Sequence, residues 1–293
     1  MTMMLSNTVY RDAEKGDGDA VPLVLVHAFP VDHRMWDECA GRIIRLSDAR
    51  GLPAFPVWAP DTPGSGRSPV PDAVDSGPQT ADGSYPDALG HLVDAHADLV
   101  RRAGYRRAVW VGLSMGGYVA IGMQRRHPDI MAGLALCDTR VSVDAPVARQ
   151  GRLRCAEESL RTGGVGPVMH FAEPQPGDSA TKRSPEFVAT FTRWIRSQTP
   201  DGIAWRQRMA AGRPDMTDEL PHVSVPAAVV SGERDPSSPP EAMIPLAEAM
   251  TGTDVRFTRV PDCGHFSAVE RPDVVAGALV DLMARVLASE ARS

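Results

Sequence analysis

The stretch VWVGLSMGGYVA, residues 109 to 120, decides the reading of this chain. Its first residues are β-branched or aromatic and read as a strand; past Gly-Leu-Ser-Met-Gly-Gly the pattern turns helical. A serine at such a junction sits at the tip of a sharp turn, exposed, with neighbours that must be small, and Gly112 and Gly116 are those neighbours. A serine hydroxyl is a weak nucleophile that needs a base for its proton and donors for an oxyanion. Met115, next in the chain, would offer its backbone N–H at the start of a helix whose dipole favours negative charge. The plainer alternative is a βα turn with a capping serine.

Outward from Ser114, short apolar runs recur at residues 21–27, 55–61, 108–112, 133–138, 227–232 and 255–260. Continuous apolar runs of this length fit strands buried on both faces. Helical spacing separates them, in the segments around Leu89 to Val100, Val119 to Arg126, Ile244 to Met250 and Val274 to Leu287. Strand alternating with helix predicts an α/β fold with a mostly parallel sheet, its functional groups at the carboxyl ends of the strands. From 141 to 222 no strand is expected, so residues 1–140 and 223–293 form the expected core domain and 141–222 a helical insertion. Its clearest helix places Phe187, Phe191, Trp194 and Ile195 on one stripe, which either packs on the core or roofs a pocket. Residues 68 to 88 read as a surface loop, and the ends, to about Lys15 and from about Ser289, as frayed.

Two further loops carry chemistry. Asp235, in SGERDP, follows the run 227–232, and His265, in PDCGHF, follows 255–260 in a loop that Gly264 makes permissive. A carboxylate can orient an imidazole, and the imidazole can take a proton from serine. Asp138, at the end of 133–138, and Asp262, three residues before His265, are alternative orienting acids.

In the order Ser114, Asp235, His265 the chain resembles the α/β-hydrolase family, over residues 20 to 288. HAFP (His27 to Pro30) looks like the family's oxyanion loop after its third strand, DTPGSGRS (Asp61 to Ser68) like the turn after its fourth, and the insertion falls where the family carries a cap after strand six. The resemblance implies Ser114 as nucleophile, His265 as base and Asp235 as acid. It implies the backbone N–H groups of Phe29 and Met115 as the oxyanion hole, and His27 as a residue that shapes the oxyanion loop. Ala28 stands where the family usually has glycine; a positive φ there would cost alanine about 1 kcal/mol.

The implied reaction is hydrolysis of a small-molecule ester or lactone through an acyl-enzyme. The same parts serve cofactor-free haloperoxidases acting as perhydrolases and carbon–carbon hydrolases, and a ligand-binding receptor on the hydrolase fold is the non-enzyme alternative. A serine rather than an aspartate at 114 argues against the dehalogenase and epoxide-hydrolase branches. No cofactor is implied.

Composition narrows the rest. A net charge of −6 without any basic cluster argues against nucleic acid as partner, and no apolar run is long enough for a membrane span. Without an export signal at the N-terminus, Cys39, Cys137, Cys155 and Cys263 read as reduced thiols of a cytoplasmic protein. There is no CxxC or HExxH, and His91 and His96 would diverge on a helix, so no metal site is expected. Gly64 and Gly66 read as turn glycines. Residues 141 to 222 hold 11 Lys/Arg against 10 Asp/Glu, +1 in a chain of −6, so the insertion is basic relative to the body. Arg149, Arg152, Arg154 and Arg161 are its candidates for binding a substrate carboxylate, against the plainer reading of solvated helix arginines.

Overall fold

The computed structural model describes residues 3–12 and 20–291. Its elements in chain order are β1 (Asn7–Arg11), β2 (Leu23–Val26), α1 (Asp37–Ala49), β3 (Val57–Pro60), α2 (Ala73–Ser76), α3 (Ala88–Arg102), β4 (Ala108–Leu113), α4 (Met115–Arg126) and β5 (Met131–Cys137). After them come α5 (Pro146–Thr162), α6 (Pro185–Arg196), α7 (Pro200–Gly212), β6 (Ala227–Gly232), α8 (Pro240–Ala249), β7 (Val255–Val260), α9 (Ser267–Glu270) and α10 (Pro272–Glu290).

Seven strands form one sheet in the order β1-β3-β2-β4-β5-β6-β7. Only β1 runs antiparallel to its neighbour β3. Every residue of β2, β4, β5 and β6 is buried, because α1 packs with α10 and α3 with α4 to cover the sheet. Such strands need the unbroken apolar runs seen in the sequence, each large aliphatic side chain contributing roughly 1.5–3 kcal/mol on full burial. The expected strands all form, within two residues of their expected ends.

The chain winds outward from β2 to β3 in one direction and from β4 through β7 in the other, so the winding reverses between β2 and β4. Ligand crevices of open α/β sheets lie at the carboxyl ends of strands flanking such a reversal. Val26 pairs with Gly112 at that edge, which brings the loop after β2 beside the turn that carries Ser114. The loops after β4, β5, β6 and β7 then follow side by side.

Two expectations need correction. The N-terminal segment is not frayed throughout, because Asn7–Arg11 pairs with Val57–Pro60; at the other end α10 runs through Ser289 to Glu290. The stretch 68 to 88 holds one helical turn, capped by the Asp72 carboxylate on the N–H groups of Val74 and Asp75. The insertion follows β5, which is the sixth strand in the numbering that puts HAFP after the third. Between β5 and β6 the described residues form helices and no strand. The α6 stripe packs downward rather than over a cleft: Phe187 stacks on Phe191 at 4.6 Å, and Phe191 lies 4.5 Å from Phe266, beside His265.

Candidate active site

Ser114 takes φ 54° and ψ −113° between β4 and α4. A non-glycine residue there costs about 1–3 kcal/mol and persists only where its surroundings hold it. They do so here: Ser114 N–H donates to the Cys137 carbonyl at 2.9 Å, and its own carbonyl accepts from Thr139 Oγ1 at 2.6 Å and Gly117 N–H at 2.9 Å. The flanking glycines answer to close packing. A Cβ on Gly112 would lie against the Gly116 carbonyl, and one on Gly116 against the Val26 carbonyl, inside van der Waals contact in both cases.

His265 Nε2 lies 2.8 Å from Ser114 Oγ, and its Nδ1 lies 2.8 Å from Asp235 Oδ2. An ionised carboxylate only accepts, so Nδ1 carries the proton and the Nε2 lone pair faces the serine hydroxyl. Burial alone would lower the His265 pKa, but the charge and hydrogen bond of Asp235 raise it above the usual histidine value. Burial likewise would raise Asp235, and His265 outweighs it, so that carboxyl stays below its ordinary range.

Of the other two acids, Asp262 points to the surface, where Arg234 Nε meets it at 2.8 Å. Asp138 is buried and serves the backbone, accepting from Gly232 N–H at 2.8 Å and from Ser267 N–H at 3.3 Å. One carboxylate thus ties the loop carrying Asp235 to the loop carrying His265. Burial and the neighbouring charge of Asp235 push its pKa up. Glu270 fixes the other side of the histidine loop, accepting from Gly264 N–H at 2.7 Å and Phe266 N–H at 3.0 Å. The loop is therefore pinned on both sides of His265, not left free by Gly264.

Across from the serine, the loop after β2 holds Phe29, with a cis bond to Pro30. The backbone N–H groups of Phe29 and Met115 donate to no protein acceptor among the described residues. Ala28 does not take a positive φ, so alanine is accommodated there without strain. The buried His27 ring stitches this loop to the turn after β3: Nδ1–H donates to Ala28 O at 2.9 Å, while Nε2 accepts from Thr62 N–H at 2.9 Å. Burial lowers its pKa, in keeping with that neutral tautomer. Gly64 and Gly66 both take positive φ, as turn glycines should.

A sequence profile described as the alpha/beta hydrolase family matches residues 23–278. The chain belongs to that family. Among solved structures, this hydrolase is similar to a thermophilic esterase from Thermogutta terrifontis, 32% identical, with a TM-score of 0.79 over 97% of this chain and 94% of that one. It is also similar to the enol-lactonase from Burkholderia xenovorans LB400, 25% identical, TM-score 0.75, over 96% of each chain. Lipase LipV of Mycobacterium tuberculosis is 25% identical over 272 residues, 90% of this hydrolase and 94% of the lipase.

Above the serine of this hydrolase opens a cleft of ≈ 420 Å³, within the range of small-molecule sites. Phe29, Met115 and Phe171 are among its apolar lining residues, and Tyr118, Arg140 and Arg152 among its polar ones. Of the four candidate arginines only Arg152 reaches it. Arg149 is bound to Asp82, Ser84 Oγ and the Ala211 carbonyl, and Arg154 and Arg161 are exposed and away from the cleft. Sequence reasoning missed Tyr118, Arg140 and Phe171. Tyr118 alone carried a signal, one helical turn beyond Ser114 on a helix whose start faces the site.

Asp32, His33 and Asp61 bring ligand atoms within 4.8 Å of one another. Each is already engaged: Arg34 and Gln198 donate to Asp32, and His33 and Arg67 N–H to Asp61. The group reads as a brace between the two turns. No helix among the described residues is long and apolar enough to cross a membrane, and all four cysteines are free thiols.

Proposed function

We propose that this protein is a serine hydrolase that cleaves an ester or lactone of a small molecule through an acyl-enzyme. One observation carries the reading: Ser114 Oγ, His265 and Asp235 form a continuous hydrogen-bonded line with 2.8 Å at both steps. In the first step Ser114 Oγ bonds to the carbonyl carbon while its proton passes to His265 Nε2. The oxygen that becomes negative is held by the N–H groups of Phe29 and Met115, at the start of α4, where the helix dipole adds to the attraction. Collapse returns that electron pair and expels the alkoxide, which takes the proton from His265. Water then attacks the acyl-enzyme by the same route and frees Ser114. Asp235 stays ionised, orienting the ring and stabilising its cationic form.

Under this reading residues 141–222 are a cap over the core formed by 1–140 and 223–293, and Phe171 supplies part of its contact with substrate. His27, Gly112 and Gly116 are supporting residues that set the two loops. Free thiols throughout support a reducing, cytoplasmic setting. The test is turnover of a short series of 4-nitrophenyl esters and simple lactones by the wild type and Ser114→Ala. The wild type is expected to turn over at least one series with a chain-length optimum, and Ser114→Ala to lose that activity by at least about 10⁴-fold. Folded wild type inert toward both series would favour a ligand-binding receptor instead.

A further inference from the structure

The charged wall of the cleft goes further than the triad. Arg140, three residues past β5, donates from Nε to the Ser237 carbonyl at 2.8 Å and from Nη2 to the same oxygen. No carboxylate pairs with it among the described residues. Arg152, on α5, is paired with Asp144, which it shares with Arg213. The Arg213 guanidinium lies 4.2 Å over the Tyr118 ring, and the Tyr118 hydroxyl accepts from Arg152 at 3.4 Å. Among the charged groups lining the cleft, Arg152 is thus matched by Asp144, whereas Arg140 bonds only a backbone carbonyl. Neither of the other acids near the cleft pairs with Arg140: Asp235 bonds His265, and Asp138 accepts from two backbone N–H groups.

We infer that this wall is a subsite for a carboxylate on the acyl part of the substrate, so the preferred substrates are half-esters of dicarboxylic acids or lactones that carry an acid. Arg140 is its principal specificity residue: its guanidinium is anchored by Ser237 yet keeps Nη1 unused by protein acceptors among the described residues. A planar guanidinium edge suits a carboxylate. Tyr118, its hydroxyl held by Arg152, supplies a polar group beside it. The apolar lining residues Phe29, Met115 and Phe171 take the methylene chain between the two acyl ends. This inference rests on the serine-hydrolase reading for its substrate class, though binding of the anion can be read without turnover.

The experiment compares mono-4-nitrophenyl glutarate with 4-nitrophenyl hexanoate, of matched chain length, on the wild type, Arg140→Gln and Arg154→Gln. The wild type is expected to favour the half-ester by tenfold or more in kcat/KM. Arg140→Gln should lower that preference at least tenfold, mainly through KM, and Arg154→Gln, on the same helix as Arg152 but outside the cleft, should leave it in place. Because Arg140 also holds the loop of Asp235, the ratio of the two substrates is the readout, since damage to the triad affects both. Equal rates on the two esters, or a preference untouched by Arg140→Gln, would overturn the inference while leaving a working hydrolase. Calorimetric titration with glutarate decides the subsite even if no ester is cleaved: binding at least tenfold weaker in Arg140→Gln supports it, and equal or undetectable binding in both proteins overturns it.

Discussion

At the carboxyl edge of the sheet, Ser114, Asp138 and Asp262 all take positive φ, and Gly112 and Gly116 have no room for a Cβ. The helical insertion has no such non-glycine residue among the described residues; Gly202 and Gly212, where it meets the loops after β3 and before α3, have no room for a Cβ, but Gly166 has open space. The first region positions atoms through the backbone, over-determined by neighbouring strands. The second positions them through side chains: Arg149 on Asp82, Arg152 and Arg213 on Asp144. Reacting atoms need placement within a fraction of an ångström, which crossing loops of a rigid sheet provide. On the proposed function, substrate choice rests on side chains that can change at small cost to the fold.

The sharpest way to break this comparison is to neutralise each of the two buried carboxylates. Asp235→Asn should lower kcat by about 10⁴-fold, the scale for losing the acid of such a triad. Asp138→Asn leaves an acceptor for one of its two N–H partners and tolerates the positive φ, so its loss should be at least about a hundredfold smaller. Equal losses in steady-state rates would mean that both carboxylates orient the histidine.

Stability separates the regions next. Gly116→Ala drives a Cβ into the Val26 carbonyl, and backbone cannot move as a side-chain tip can, so thermal unfolding should show a loss of at least about 2 kcal/mol. Gly166→Ala should stay within about 0.5 kcal/mol of the wild type. A destabilised Gly166→Ala would show that the insertion is as tightly determined as the sheet edge.

The smallest effect is on pH dependence. His265 must be neutral to accept the serine proton, and its pKa is raised, so kcat/KM should rise with pH through an inflection above the ordinary histidine value of about 6.5. Asp235→Asn should move the inflection of its residual activity down. The same raised pKa gives a stability contribution fully present below that ordinary value and lost as pH climbs through the folded-state pKa. Asp235, held low, acts in the opposite sense: its contribution is present above the ordinary carboxylate value and lost as pH falls through its folded-state pKa.

Much of the sheet edge was legible because the physics that builds it is local. A strand buried on both faces must be continuously apolar, and a serine lifted on a tight turn must sit between small residues, so β4 and Ser114 announce themselves together. Asp235 and His265 stand out in the sequence from their place after two such strands, and the proposal's choice among Asp235, Asp138 and Asp262 turns on the contacts each makes, which no spacing reveals. Strand β1 was missed because it is five residues long, half-exposed and polar at both ends, though Thr8, Val9 and Tyr10 favour a strand. Helix α1 was missed as well, its apolar stripe being thin: Ile43 is buried but charged residues recur throughout. In the insertion, four arginines looked alike in sequence. Which of them faces the cleft depends on partners far along the chain, such as Asp82 for Arg149, that no spacing reveals.

The central claim is that Ser114 is a nucleophile made reactive by His265. It is tested most directly by the intact mass of the protein after treatment with a fluorophosphonate probe, in the wild type, Ser114→Ala and His265→Gln. The account predicts one adduct on the wild type, none on Ser114→Ala, and labelling slowed by orders of magnitude on His265→Gln. An adduct that persists in folded Ser114→Ala, or a folded wild type that takes up no probe, would contradict it.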